Sequence, residues 1–145
     1  MGKKLLQIDL DEICEAMENS SYENDYFLDL VTGEVLFVSE YLDDEEKSEL
    51  KDRIEEDVDR YEQIPKAESH EGYQDMVDFI ATVEDKHLVE LLEVAVSGKG
   101  AFRRFKDVLL NYPEERDRWF QYKDDRMEER ALEWLEDIDV TVAGE

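Results

Sequence analysis

The stretch Tyr26-Phe27-Leu28-Asp29-Leu30-Val31-Thr32-Gly33-Glu34-Val35-Leu36-Phe37-Val38 decides the fold class. Its two arms are rich in aromatic and β-branched side chains, which suit a pleated, half-buried surface. Thr32-Gly33 supplies a turn between them. Residues 26–31 and 34–38 are therefore expected to form a β-hairpin. Downstream, Tyr61-Glu62-Gln63-Ile64 ends at Pro65 and reads as a short third strand, completing a small sheet with the hairpin.

Outward from this sheet the patterning is helical. Asp9 and Glu12 have capping-box spacing ahead of a helix over 10–19, with Leu10, Ile13, Cys14 and Met17 on one face. Asp43, with Glu46 three residues on, starts a second helix that continues to about residue 60. Leu50, Ile54, Val58 and Tyr61 give it one thin apolar stripe. Ser69 can cap a helix over 70–83 with Tyr73, Met76, Val77 and Ile80 facing inward. Asp85 can cap the next, over 86–96, with Leu88, Leu91, Leu92 and Ala95 inward and Ser97-Gly98 at its end. The short link between these two predicts an antiparallel pair. Gly100 opens a helix over 101–110 with Phe102, Phe105, Val108 and Leu109 on one side. Pro113 suits the first turn of a last helix, which runs to about residue 136 and carries Trp119, Phe120, Ala131, Leu132, Trp134 and Leu135. The expected fold is α+β and predominantly α: a helical domain with a small antiparallel sheet near the N-terminus. One acidic globular domain is expected over 1–140, with a frayed tail over 141–145.

The chain has 145 residues, with 42 acidic and 17 basic side chains and a net charge of −25. Such a composition borders on that of disordered chains. Two Trp, seven Tyr and six Phe, spread along periodic positions, argue instead for a compact fold with an acidic skin. Self-repulsion among the carboxylates should make its stability rise with added salt. The charge excludes general coating of nucleic acid and docking on an anionic membrane. No stretch approaches the roughly 20 apolar residues of a membrane helix. Met1-Gly2-Lys3-Lys4-Leu5-Leu6 has basic residues but no apolar region behind them, so it is not read as a signal peptide. Cys14 is the only cysteine. It allows no internal disulfide and no cysteine zinc cage, which suits a reducing cytoplasm.

The charge is unevenly placed. Residues 1–98 carry 29 acids and 8 bases, whereas the segment from Lys99 to Arg118 has six bases against four acids. Its sharpest feature is Gly98-Lys99-Gly100-Ala101-Phe102-Arg103-Arg104-Phe105-Lys106. Glycines before a helix start let an anion approach the free N–H groups there. Gly98, Lys99, Gly100, Arg103 and Arg104 are thus the candidate anion-binding residues. Basic residues in a first helical turn oppose the helix dipole, a local conflict of the kind that marks functional sites. The pattern is not a P-loop, which needs four residues between its first glycine and Gly-Lys, then Ser or Thr. The competing reading makes Arg103, Arg104 and Arg116 internal counter-charges for acids on neighbouring helices.

Catalytic patterns are not found. His70-Glu71 would need a second His at position 74, which is Gln74. Nothing in the spacing requires His70 and His87 to meet. Asp43-Asp44-Glu45-Glu46 lacks the glycine and alternating oxygens of an EF-hand loop, so no metal and no cofactor are implied. No serine has a nucleophile-elbow context.

Tyr61-Glu62-Gln63-Ile64-Pro65, Met76-Val77-Asp78-Phe79-Ile80, the Gly98–Lys106 run continued by Asp107, and Arg118-Trp119-Phe120 occur in an order that resembles an uncharacterised bacterial protein family, number 0158 of the UPF series. The similarity covers most of the chain. It implies a small cytoplasmic protein, and it transfers no activity and no catalytic residue. Two functions from different classes follow. The first is a non-catalytic interaction protein whose acidic helix, with Glu45, Glu49, Asp52 and Glu56 as candidate partner-binding residues, meets an unidentified protein rather than nucleic acid. In its stronger form the helical carboxylates imitate the phosphates of a nucleic acid. The second is binding of a phosphate, a nucleotide or a nucleic-acid end at the Gly98–Lys106 corner, with hydrolysis as an extension.

Overall fold

The computed structural model describes residues 4–20 and 23–143. Met1–Lys3 of the leader reading, Ser21 of the expected loop and Gly144–Glu145 of the expected tail lie outside the described residues. The chain divides into two compact units. One is the chain up to Ala67 together with the segment from Glu128 onward; the other is Glu68–Met127.

In the first unit, strands β2 (Asn24–Asp29) and β3 (Val35–Ser39) form the expected antiparallel hairpin. Its register pairs Asn24 with Ser39 and Leu28 with Val35. Strand β4 (Tyr61–Gln63) adds to the other edge of β2, giving the order β3-β2-β4. β2 stops at Asp29 rather than Val31 because the Asp29 carboxylate accepts hydrogen bonds from the N–H groups of Val31 and Thr32, at 2.8 and 3.2 Å. This local turn competes with the ladder and lengthens the connection. Gly33 then takes φ +82°, and a Cβ there would sit 2.1 Å from the carbonyl oxygen of Gln7. Both the backbone angle and the close approach require glycine.

Helix α1 (Leu10–Asn19) follows the expected span, with the Asp9 side chain accepting from the N–H groups of Asp11 and Glu12. Ile13, Ala16 and Met17 are its buried residues, and Cys14 is half-buried. Helix α2 (Asp44–Glu56) is capped by Asp43, which accepts from Glu46 N–H. It ends four residues before the expected limit, and Val58, assigned to its inner stripe, is 65 % exposed. Beyond its end the chain turns through Arg60, whose carbonyl accepts from Leu30 N–H at 2.7 Å. One further pairing was not expected. Strand β1 (Lys4–Leu6) runs parallel to β5 (Val140–Val142). Thr141 and Val142, placed by sequence in a frayed tail, therefore belong to a strand.

In the second unit, helix α3 (Ser69–Ile80) is capped by Glu68 in a capping box with Glu71, so Ser69 is its first residue and not its cap. Its buried side chains are Asp75, Met76, Phe79 and Ile80. Tyr73 and Val77, expected inward, are 40 % and 38 % exposed. Helix α4 (Lys86–Ala95) is capped by Asp85 and buries Leu88, Leu92 and Ala95. Helix α5 (Ala101–Leu109) buries Ala101, Phe105 and Leu109. Helix α6 (Pro113–Asp137) contributes its residues up to Met127 to this unit. The core of this unit is aromatic: Phe79 meets Phe105, Trp119 and Tyr122 edge-to-face, with centroids 6.2, 5.3 and 5.5 Å apart. Such pairs add about 0.5–1.5 kcal/mol each beyond area burial.

The α+β, mostly helical expectation holds. No helix among the described residues is long and apolar enough to cross a membrane.

Candidate functional site

The Gly98–Lys106 segment links α4 to α5. Gly98 and Gly100 take φ +85° and +74°, which lets the chain leave one helix and enter the next within a few residues. Gly100 is the N-cap of α5 and offers no side-chain cap. Arg104 then does something the sequence did not disclose. Its Nη2 donates to the carbonyl of Val94 at 2.8 Å, and its Nη1 donates to the carbonyls of Ser97 and Lys99, each at 3.1 Å. These oxygens belong to the C-terminal end of α4 and the loop after it, where backbone acceptors lack helical partners and the dipole is negative. A cation that opposes the dipole of its own helix thus complements that of the preceding one. Arg103 has a side chain 90 % exposed, and its nearest acid, Asp107 on the same helix, is 3.9 Å away. Lys99 is exposed. Of the five anion-binding candidates, Gly98, Lys99 and Gly100 lie in the loop, whereas Arg103 and Arg104 lie in the first turn of α5, where Arg103 has only Asp107 of its own helix near it. Pairing of Arg103, Arg104 and Arg116 with acids of neighbouring helices is not what is seen: Arg104 meets carbonyls, Arg103 its own helix, and Arg116 the ring of Phe120 at 5.4 Å. Phe105 is fully buried, whereas Phe102 is 46 % exposed and lies over Gly72.

The acidic helix α2 lies in the other unit. None of its residues is buried. Glu45, Glu49, Asp52 and Glu56 are all exposed, and Leu50 and Ile54 are half-buried. Beside it runs a groove of about 350 Å³ lined by Phe37, Leu42, Glu46, Glu49, Leu50 and Arg53. Phe37 is 42 % and the nearby Tyr41 78 % exposed. At the start of α2, Lys47 donates to Glu40 at 2.6 Å. That bond holds the Glu40 carboxyl below its usual range and pushes the Lys47 ammonium up.

Two ion-pair clusters were missed. Asp29 has no solvent exposure. Arg60 donates to both its oxygens, Nε to Oδ1 at 3.0 Å and Nη2 to Oδ2 at 2.8 Å, and Arg53 stands 3.9 Å away. The Arg60 bonds hold the Asp29 carboxyl far below the usual carboxylate range. Burial pushes the other way, and the N–H groups of Val31 and Thr32 add to the lowering. Arg53 also donates to the Tyr61 hydroxyl at 2.9 Å. In the second unit the buried Asp75 and the half-exposed Asp78 both meet Arg126 of α6, Asp75 at 3.3 Å from Nε. For Asp29 the available signal was a lone acid within an apolar run, Leu28-Asp29-Leu30, because a charge is buried only with a partner; Asp75, which follows Gln74, carried no such signal.

His70 and His87 sit in the first turns of α3 and α4 and are exposed, with His70 Nδ1 3.1 Å from Glu68. No group of three or more His, Cys, Asp or Glu among the described residues is arranged to hold a metal ion.

A family model described as an uncharacterised protein family, UPF0158, matches residues 3–145. The chain is 33 % identical to a UPF0158 protein of Pseudomonas aeruginosa over 139 residues, covering 96 % of this chain and 88 % of that protein. It is 29 % identical to UPF0158 proteins of Chlamydia trachomatis and Chlamydia muridarum over 124 residues. There it covers 85 % of this chain but 38 % and 37 % of theirs. No solved structure matches the chain significantly.

Proposed function

Because this chain belongs to the uncharacterised protein family UPF0158, whose name assigns no reaction, the function rests on its surfaces, and we propose that it is a non-catalytic binding protein that presents α2 to a basic protein partner. The carrying observation is that α2, a helix of 13 residues, buries none of them. A surface helix ordinarily buries an apolar stripe. Here Glu46 and Glu49 line a groove with Phe37, Leu42, Leu50 and Arg53, and Glu45, Asp52 and Glu56 are exposed on the same helix. That combination suits lysine or arginine side chains, whose aliphatic stems lie on apolar surface while their heads meet carboxylates. Steering by the −25 charge would speed encounter with such a partner. In the stronger form, the carboxylate rows stand in for nucleic-acid phosphates. The lone Cys14 fits a reducing cytoplasm as the place of work.

The alternative, capture of a phosphate, a nucleotide or a nucleic-acid end at Gly98–Lys106, has less support, since Arg104 is committed to three carbonyls.

The test compares the immobilised full chain with a variant carrying Glu45→Lys, Glu49→Lys, Asp52→Lys and Glu56→Lys, with circular dichroism confirming that both fold. Bound proteins should be basic, should elute with salt and should be missing from the variant. Displacement of the same proteins by duplex DNA would support mimicry. Recovery of an identical set by the variant would overturn the assignment, as would a set of neutral or acidic proteins.

A further inference from the structure

A second surface, in the other unit and of opposite character, lies where α5 meets the start of α6. Leu109 and Trp119, 1 % and 5 % exposed, line a cavity of about 150 Å³ together with Leu110, Phe120, Lys106 and Arg116. Leu110 is 58 % and Phe120 41 % exposed. An apolar cavity of roughly this volume accepts a benzene ring, whereas sites for cofactors and drug-sized ligands run to about 300–1,000 Å³. The space therefore suits one large apolar side chain and not a whole small-molecule ligand.

The charge at its edge gives the occupant's chemistry. The chain holds 42 acids against 17 bases, and Lys47, Arg60, Arg118 and Arg126 each sit against a carboxylate. Lys106 and Arg116 do not: among the described residues neither makes an ion pair, and Arg116 lies over the Phe120 ring. Two unpaired cations beside an apolar cavity are complementary to an apolar side chain flanked by carboxylates. The screening length of about 8 Å at physiological ionic strength lets this local complementarity act despite the acidity elsewhere. A large side chain filling a well-packed, desolvated pocket is also how interfaces concentrate their affinity.

We propose that the cavity lined by Lys106, Leu109, Leu110, Arg116, Trp119 and Phe120 is a docking pocket for an acidic peptide segment of another protein that inserts one large apolar side chain.

The probe is a fluorescein-labelled acidic octapeptide with a single central phenylalanine, titrated with the full chain and followed by anisotropy at 50 and 150 mM salt. Three comparisons accompany it: the same peptide with alanine at the centre, the peptide with its acids replaced by lysine, and the Lys106→Glu/Arg116→Glu variant. The variant changes only exposed side chains, and a thermal melt checks its fold. Alanine at the centre and the charge-reversed variant should each weaken binding at least tenfold, and the basic peptide should not bind the wild-type pocket. Amide shifts in NMR should concentrate on residues 106–110 and 116–120. The idea is overturned by unchanged anisotropy up to millimolar chain or by equal binding of the alanine peptide. It is also overturned by equal binding to the variant, or by a concentration-dependent dimer in sedimentation that Lys106→Glu/Arg116→Glu abolishes, which would make a second copy the occupant.

Discussion

Replacing Asp29 by Asn tests the sheet unit at the point where its chemistry is most exacting. The carboxylate is fully buried and accepts four hydrogen bonds, two from Arg60 and one each from Val31 and Thr32. The amide keeps an acceptor for the turn but loses the charge and turns an NH₂ group toward the Arg60 donors. Deleting one partner of a buried ion pair costs about 3–5 kcal/mol. The Arg60 side chain is 30 % exposed, so water recovers part of that, and the lower end, about 3 kcal/mol, is expected. At about 2.1 cal/mol/K of unfolding entropy per residue, a chain of this length loses about 10 °C of Tm. Thermal and urea melts followed by circular dichroism at pH 7 measure it. The pH dependence adds a second check. The carboxyl is held below its unfolded value by Arg60, so its contribution is complete above an ordinary aspartate pKa of about 3.9 and fades as pH falls toward its folded value. The gap between wild type and variant should thus be flat from pH 8 to about 5 and should narrow below about 4. A second variant, Asp29→Leu with Arg60→Met, should be less damaging than the two single changes added together. A shift under 3 °C, or strict additivity, would refute the assignment of Asp29 as a buried, paired charge.

Gly33→Ala should destabilise by more than about 2 kcal/mol, since it combines a left-handed backbone with a Cβ 2.1 Å from Gln7 O. Gly98→Ala, with a similar φ but nothing within 4 Å, should cost only about 1 kcal/mol, and paired urea midpoints measure the difference. Arg104→Ala should cost about 1 kcal/mol through the lost carbonyl bonds, with faster amide exchange at the end of α4. Arg103→Ala should leave both melting and exchange unchanged, and equal effects would contradict the capping role.

The hairpin and most helix starts were legible because their signals are local. Asp9, Asp43 and Asp85 cap where their spacing says they should. Helix faces were read less well wherever a charge is inside. Periodicity assigned Tyr73 and Val77 to the core of α3, but Asp75 is buried there, paired with Arg126 some fifty residues on. The β1–β5 pair gave no signal, since three residues carry no period and the pairing joins opposite ends of the chain. At Gly98–Lys106 the sequence flagged a real conflict between arginine and the α5 dipole. Its resolution by Arg104 bonding backwards to Val94, Ser97 and Lys99 needed the loop geometry. The pocket beside Lys106 and Arg116 combines residues from two helices, and one-helix patterns do not reveal such a combination.

The parallel pairing of Lys4–Leu6 with Val140–Val142 has a bearing on the order of events during synthesis. The unit spanning Glu68–Met127 is contiguous, so the ribosome delivers everything it requires while translation is still under way. In the other unit, the strand Lys4–Leu6 has no mate until residues 140–142 have been made. Contacts so distant in sequence form slowly, and a nascent chain stalled before residue 140 would leave that strand edge bare and open to wrong pairing.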